Sequence, residues 1–133
     1  MNLLLDTSAY SALQRGHQAV LDVMRRSETV AVPAIVLGEL YTGFRAGSRS
    51  ADNNEQLERF LSKPSVRVLN VTQETALRYA ELFVYLRKKG RPIPINDVWI
   101  AALAIEHGLQ LLTLDEHFHE IPLLLIQPPI MKP

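Results

Sequence analysis

A chain of 133 residues that is 47% hydrophobic and 21% charged has the size and composition of one soluble globular domain, expected here over 1–133. Fourteen basic residues balance fourteen acidic ones, so the whole-chain charge announces no nucleic-acid partner and any basic surface must be local. No apolar run nears the roughly 20 residues that span a bilayer, MNLLLDTSAY lacks a secretory leader, and the absence of cysteine excludes a disulfide framework, so a cytoplasmic protein without membrane attachment is expected.

The apolar run Leu3 to Leu5 ends at Asp6 and passes through Thr7-Ser8 into AYSALQRG, a strand followed by a short helix that Gly16 stops. A second helix is expected over about 18–27, then a strand at Val30 to Val32, then Pro33 as the first residue of a helix reaching Phe44. RAGSRSADNN reads as a connection and EQLERFL as an amphipathic helix ending before Pro64. Val66 to Leu69 is the third strand. Thr72 caps a long helix over 73–89, with Glu74 in its first turn, basic residues in its last and Gly90 as its stop. RPIP is a stiff connection into a helix starting beside Asn96, apolar nearly all round and ended by Gly108, which should therefore be buried. Leu109 to Thr113 is the fourth strand, EHFHEIP a turn-rich link, Leu123 to Ile126 the fifth strand, and 127–133 a loosely ordered tail.

Short apolar strands separated by helices predict an α/β fold with a parallel sheet covered on both faces. Ligands of such sheets bind beyond the carboxyl ends of the strands where strand order reverses. Asp6 and Asp115 follow the first and fourth strands, and Glu39 and Asp97 lie in apolar helical segments. Each acid has a plain structural reading as well: a helix cap for Asp6, a charge favoured by the helix dipole for Asp97, a turn residue for Asp115, and a solvated face or an ion pair with Arg45 for Glu39. One divalent-metal site would account for all four together. Oxygen donors without Cys or His suit Mg²⁺ or Mn²⁺ better than Zn²⁺.

LLLDTSAY, VLGELYTGFRAG, PINDVWIAALAIEHG and LLTLDEHFHEIP, in this order and over almost the whole chain, resemble the PIN domain and, within it, the VapC-type toxins of bacterial toxin–antitoxin pairs. The resemblance implies a three-layer α/β/α sandwich with a five-stranded parallel sheet. It also implies an endoribonuclease dependent on Mg²⁺ or Mn²⁺ that cleaves structured RNA such as tRNA or rRNA, leaves 5′-phosphate and 3′-hydroxyl ends, and arrests translation. Its acidic positions fall on Asp6, Glu39, Asp97 and Asp115, with Glu39 acting directly, through water or as base, and with Ser8 and Thr113 in support. The implied partners are RNA, a cognate antitoxin through which operator DNA is contacted indirectly, and a second copy of the chain.

Arg45, Arg49, Arg87, Lys88, Lys89 and Arg91 are the candidates for contact with RNA or antitoxin, the first two on the expected connection. The run from Arg87 is equally explained as a helix C-terminus stabilised by the dipole. His117 and His119 form an H-x-H beside acids, but with no further histidine cluster, and with the resemblance implying carboxylates alone, they read better as a surface turn. Two other classes compete. Haloacid dehalogenase relatives need an acid where Ser8 stands, and receiver domains need an adjacent acidic pair after the first strand and a late lysine, neither of which is present. A non-catalytic interaction subunit would not require the complete acidic set.

Overall fold

The computed structural model describes residues 1–127. Strand β1 (Asn2–Leu5) leads through α1 (Thr7–Gln14) and α2 (Gln18–Arg26) to β2 (Thr29–Pro33), which α3 (Ala34–Ala46) and α4 (Ser50–Leu61) connect to β3 (Val66–Leu69). Helices α5 (Gln73–Lys88) and α6 (Ile95–His107) then carry the chain back to β4 (Gln110–Leu112), and a 3-10 helix follows over Glu116–Glu120. The sheet is parallel throughout in the order β3-β2-β1-β4. Progress runs from β1 outward to β3, then jumps to the opposite side of β1, so strand order reverses between β1 and β4.

Three consecutive residues of β1, Leu3, Leu4 and Leu5, have no exposed surface. Because successive strand residues point to opposite faces, this is possible only if helices cover both sides of the sheet, the arrangement that parallel crossovers produce. The buried α6 is borne out, with Val98 and Ile100 to Ala104 all in the core. It ends at Gly108, whose φ of +64° is the left-handed geometry that favours glycine. Helix α5 begins at Thr72, which forms the expected cap as a reciprocal pair with Thr75. Thr75 is fully buried and donates to Glu106 Oε1 at 2.5 Å, while Tyr79 stacks on Trp99 at 3.9 Å between centroids. These contacts lock α5 against α6 and thereby set where α6 begins.

Among the described residues four strands are present where five were expected. Over Leu123 to Ile126 there is only an isolated parallel bridge between Leu111 and Ile126, supported by Leu111 N–H donating to Leu125 O at 2.8 Å and Gln127 N–H to Leu111 O at 3.0 Å. Leu123 takes a left-handed φ of 67° directly after Pro122, which breaks the extended run, and only Leu124 and Ile126 pack, partly buried, against the core, while Leu123 and Leu125 are exposed. The expected tail lies, from residue 128 on, outside the described residues. Pro33 ends β2, paired with Leu69, and occupies the N-cap of α3 instead of its first turn. Helix α4 starts at Ser50, five residues before the expected EQLERFL, because Asn54 donates to Ser50 O at 2.7 Å and winds the polar stretch into helix. No helix among the described residues is long and apolar enough to cross a membrane.

Leu4, central in the sheet and fully buried, gives a measurable handle on this core. Leu4→Ala should lower stability by about 2–5 kcal/mol through lost burial and the cavity left behind, read as a reduced urea midpoint with an unchanged m value.

Candidate active site

Asp6 closes β1 with 2% of its surface exposed. Its Oδ1 accepts from the Ser8 hydroxyl at 2.7 Å and from the Ala9 backbone N–H at 2.9 Å, and its Oδ2 accepts from the Thr113 hydroxyl. The two hydroxyls are held in turn from the exit of β4: Leu114 N–H donates to Ser8 Oγ at 3.0 Å, and Asp115 N–H to Thr113 Oγ1 at 3.0 Å. One carboxylate thus ties the ends of β1 and β4 together across the reversal of strand order. Capping α1 is only part of its task. Of the roughly four lone-pair directions of a carboxylate, three are used, leaving one on Oδ2.

Glu39 sits midway along α3, half-buried, and accepts from the Thr7 hydroxyl at 2.6 Å at Oε1. Its partner is therefore a residue of α1, not Arg45. Asp97 lies in the first turn of α6, half-buried, with Oδ2 2.6 Å from His117 Nε2. Asp115 stands at the N-cap of the 3-10 helix without a side-chain cap bond, so the turn reading does not consume its carboxylate. All four acids line one cleft of about 550 Å³, together with Thr7, Asn96 and His117 and with Pro94 and Ile95 as an apolar wall. Ser8 and Thr113 stand behind Asp6, outside the lining.

Burial pushes the Asp6 carboxyl up to about 6, and the charge of Asp115 pushes the same way, against the hydrogen bonds from Thr113, Ala9 and Ser8. Burial also raises Asp97; the hydrogen bond and charge of His117 oppose this, while Glu39 and Asp115 add to it. These mutual effects tie the four acids into one electrostatic unit. The donors are all oxygen, as a hard divalent cation prefers. Among the described residues no three His, Asp or Glu side chains converge closely enough to enclose a cation directly. Mg²⁺ usually retains several waters, so carboxylates spaced around a cleft fit it through water as well as by direct contact.

Thr7 and His117 are the residues that sequence reasoning missed. His117 had a signal, its place two residues after Asp115, but the lack of a histidine cluster argued for a surface turn; the structure turns it inward while His119 stays exposed. The basic candidates are all exposed and none lines the cleft. Arg45 is in the last turn of α3, not on a connection, while Arg49, the N-cap of α4, ends the connection, which shrinks to residues 47–49. Arg49 pairs with Asp52 at 3.5 Å, Lys89 donates to Tyr85 Oη at 3.1 Å, and Arg87 borders a separate apolar recess with Phe83 and Ile93. Arg91 pairs with Glu120, 3.8 Å away in the 3-10 helix that also carries His117.

The raised pKa of Asp6 has a definite sign. In metal-free protein the folded state binds its proton more tightly than the unfolded state, so this group's contribution is fully present below about pH 4 and is lost as pH rises through about 6. Relative to Asp6→Asn, the wild type should lose about 2–3 kcal/mol between these limits, measured by urea denaturation in chelator. Equal pH slopes for the two proteins would show that Asp6 ionises freely in the fold.

The profile of the PIN domain family matches residues 3–124. Ribonuclease VapC5 of Mycobacterium tuberculosis is 33% identical over 115 residues, covering 86% of this chain and 84% of its own. Ribonuclease VapC2 of Rickettsia felis is 31% identical over 108 residues, covering 80% and 79%. In the crystal structure of VapBC2 from Rickettsia felis bound to a DNA fragment from its promoter, one chain aligns with a TM-score of 0.84 at 27% identity, over 96% of this chain and 98% of that one. With its parallel sheet, its acids gathered beyond β1 and β4, and these similarities over most of its length, the chain belongs to the PIN domain family, among the VapC ribonucleases.

Proposed function

We propose that this protein is an endoribonuclease toxin that uses Mg²⁺ or Mn²⁺ to hydrolyse structured RNA, tRNA or rRNA, in the cytoplasm, and that a cognate antitoxin neutralises it. The observation that carries this reading is the convergence of Asp6, Glu39, Asp97 and Asp115 on one cleft at the reversal of strand order. Burial, with the charges of Asp115 and Glu39 adding to it, raises the proton affinity of Asp6 and Asp97, so the empty site is unfavourable and a bound dication offsets that repulsion. Asp6, Asp97 and Asp115 would hold it, Glu39 joining directly or through water. When bound, Mg²⁺ or Mn²⁺ supplies Lewis acidity at the scissile phosphate and acidifies a neighbouring water.

The chain's own groups then have separable tasks. Asp6, fixed by three donors, sets the position of the phosphate relative to the sheet. Glu39, with Oε1 anchored by Thr7, keeps Oε2 to orient the attacking water and take its proton. Attack by water at phosphorus with cleavage of the P–O3′ bond leaves a 5′-phosphate and a 3′-hydroxyl and does not use the 2′-hydroxyl of RNA. The basic residues act outside the cleft lining, with Arg45, Arg49, Arg87, Lys88, Lys89 and Arg91 available to RNA or antitoxin. The relatives seen as VapBC complexes support an antitoxin partner, with operator DNA reached through it. Exposed Leu77, Val84 and Tyr85 along α5 supply apolar surface for protein contacts, a second copy of the chain among them.

The test is cleavage by purified, antitoxin-free protein with 5′ ends mapped on cellular RNA. Wild type with Mg²⁺ should create new 5′-phosphate ends. Asp97→Asn and Asp6→Ala should reduce the rate by at least about 100-fold while remaining folded. No new ends from the wild type in either Mg²⁺ or Mn²⁺ would sink the proposal.

A further inference from the structure

Each acid except Asp115 has at least one oxygen restrained by a side chain, both for Asp6 and one each for Glu39 and Asp97, and for Asp97 that restraint is His117. The imidazole sits on a firm base: Phe118, the next residue, has no exposed surface and packs against the histidine ring at 4.9 Å between centroids. From there Nε2 reaches across to α6 and meets Asp97 Oδ2 at 2.6 Å, the one side-chain hydrogen bond that Asp97 makes among the described residues. An ionised carboxylate has only acceptors, so the contact requires the proton on Nε2, with the nitrogen donating. A nitrogen so engaged is not available as a ligand, so the H-x-H does not act as a metal-binding pair through this atom.

We infer that His117 is the positioning residue of Asp97: its Nε2–H holds Oδ2, stops rotation of the carboxylate on the first turn of α6, and leaves Oδ1 as the oxygen offered to a divalent cation. The inference rests on the reading of the cleft as a cation site. Partners that orient a metal-binding carboxylate or imidazole contribute roughly 10- to 100-fold to metal affinity or activity. Thr7 plays the equivalent part for Glu39, and Ser8 and Thr113 for Asp6, so His117 completes a set in which hydroxyls serve three roles and an imidazole the fourth.

The test is calorimetric titration of Mn²⁺ into antitoxin-free wild type, His117→Phe and His117→Gln, with RNA cleavage measured in parallel. The His117 side chain is 35% exposed, so both variants should keep the core, as thermal melts will verify. Phe keeps the ring without the donor, and should weaken Mn²⁺ binding by about 10- to 100-fold and lower kcat while leaving KM for RNA unchanged. The Gln side chain places an N–H near the position of Nε2 and should recover most of both losses. Wild-type Mn²⁺ affinity in His117→Phe overturns the inference alone, as does a folded His117→Gln no better than Phe. Absence of Mn²⁺ binding by the wild type overturns it together with the cation reading of the cleft.

Discussion

Much of this molecule depends on enclosing one carboxylate at the point where its sheet divides. Asp6 is almost wholly removed from water at the end of the most buried strand, where an unpaired charge would cost several kcal/mol. The fold meets that cost with donors from both sides of the division: Ser8 and Ala9 from α1, and Thr113 from the exit of β4. Since the hydroxyls are themselves held by Leu114 and Asp115 N–H groups, β4 cannot slide along β1 without breaking the network. The group that gives the site its chemistry is also the group that sets strand register there.

The same network explains why the acids remain apart in a cleft instead of pairing off. Thr7, Ser8 and Thr113 each bind a carboxylate oxygen through an uncharged hydroxyl, without neutralising the set as a basic residue would. None of the six candidate Arg and Lys residues lines the cleft. Negative charge is thereby concentrated, at the expense of raised proton affinity at Asp6 and Asp97. Such an arrangement stores electrostatic repulsion for a dication to relieve.

Legibility along the sequence followed how local each cause was. The helix stops at Gly90 and Gly108, the cap at Thr72 and the burial of α6 rest on a few adjacent residues, and these readings held. Reading RAGSRSADNN as connection failed after Arg49, because turn-forming side chains there bond within a helix. Leu123 to Ile126 has strand-like composition, yet Pro122 and the left-handed Leu123 leave a single bridge. The four acids could be singled out because each stood at a strand end or in apolar company. Of their partners, Ser8 and Thr113 came with the family resemblance, but Thr7 and His117 did not, since a threonine beside Asp6 and a histidine in a polar turn look ordinary until another element approaches.

By itself the sequence determined the alternation of strands and helices, the parallel and doubly covered sheet, and the placement of Asp6 and Asp115 after the strands that flank the reversal. These follow from the period and extent of apolar runs and from local capping. Only the tertiary structure decided that Thr7 restrains Glu39, that His117 restrains Asp97 across 20 positions of chain, and that the basic residues stay outside the cleft. The reason is physical. A hydrogen bond of 2.6 Å depends on the relative placement of two packed elements to within a fraction of an ångström, and that placement is set by the whole core, including the Tyr79–Trp99 stack that seats α6.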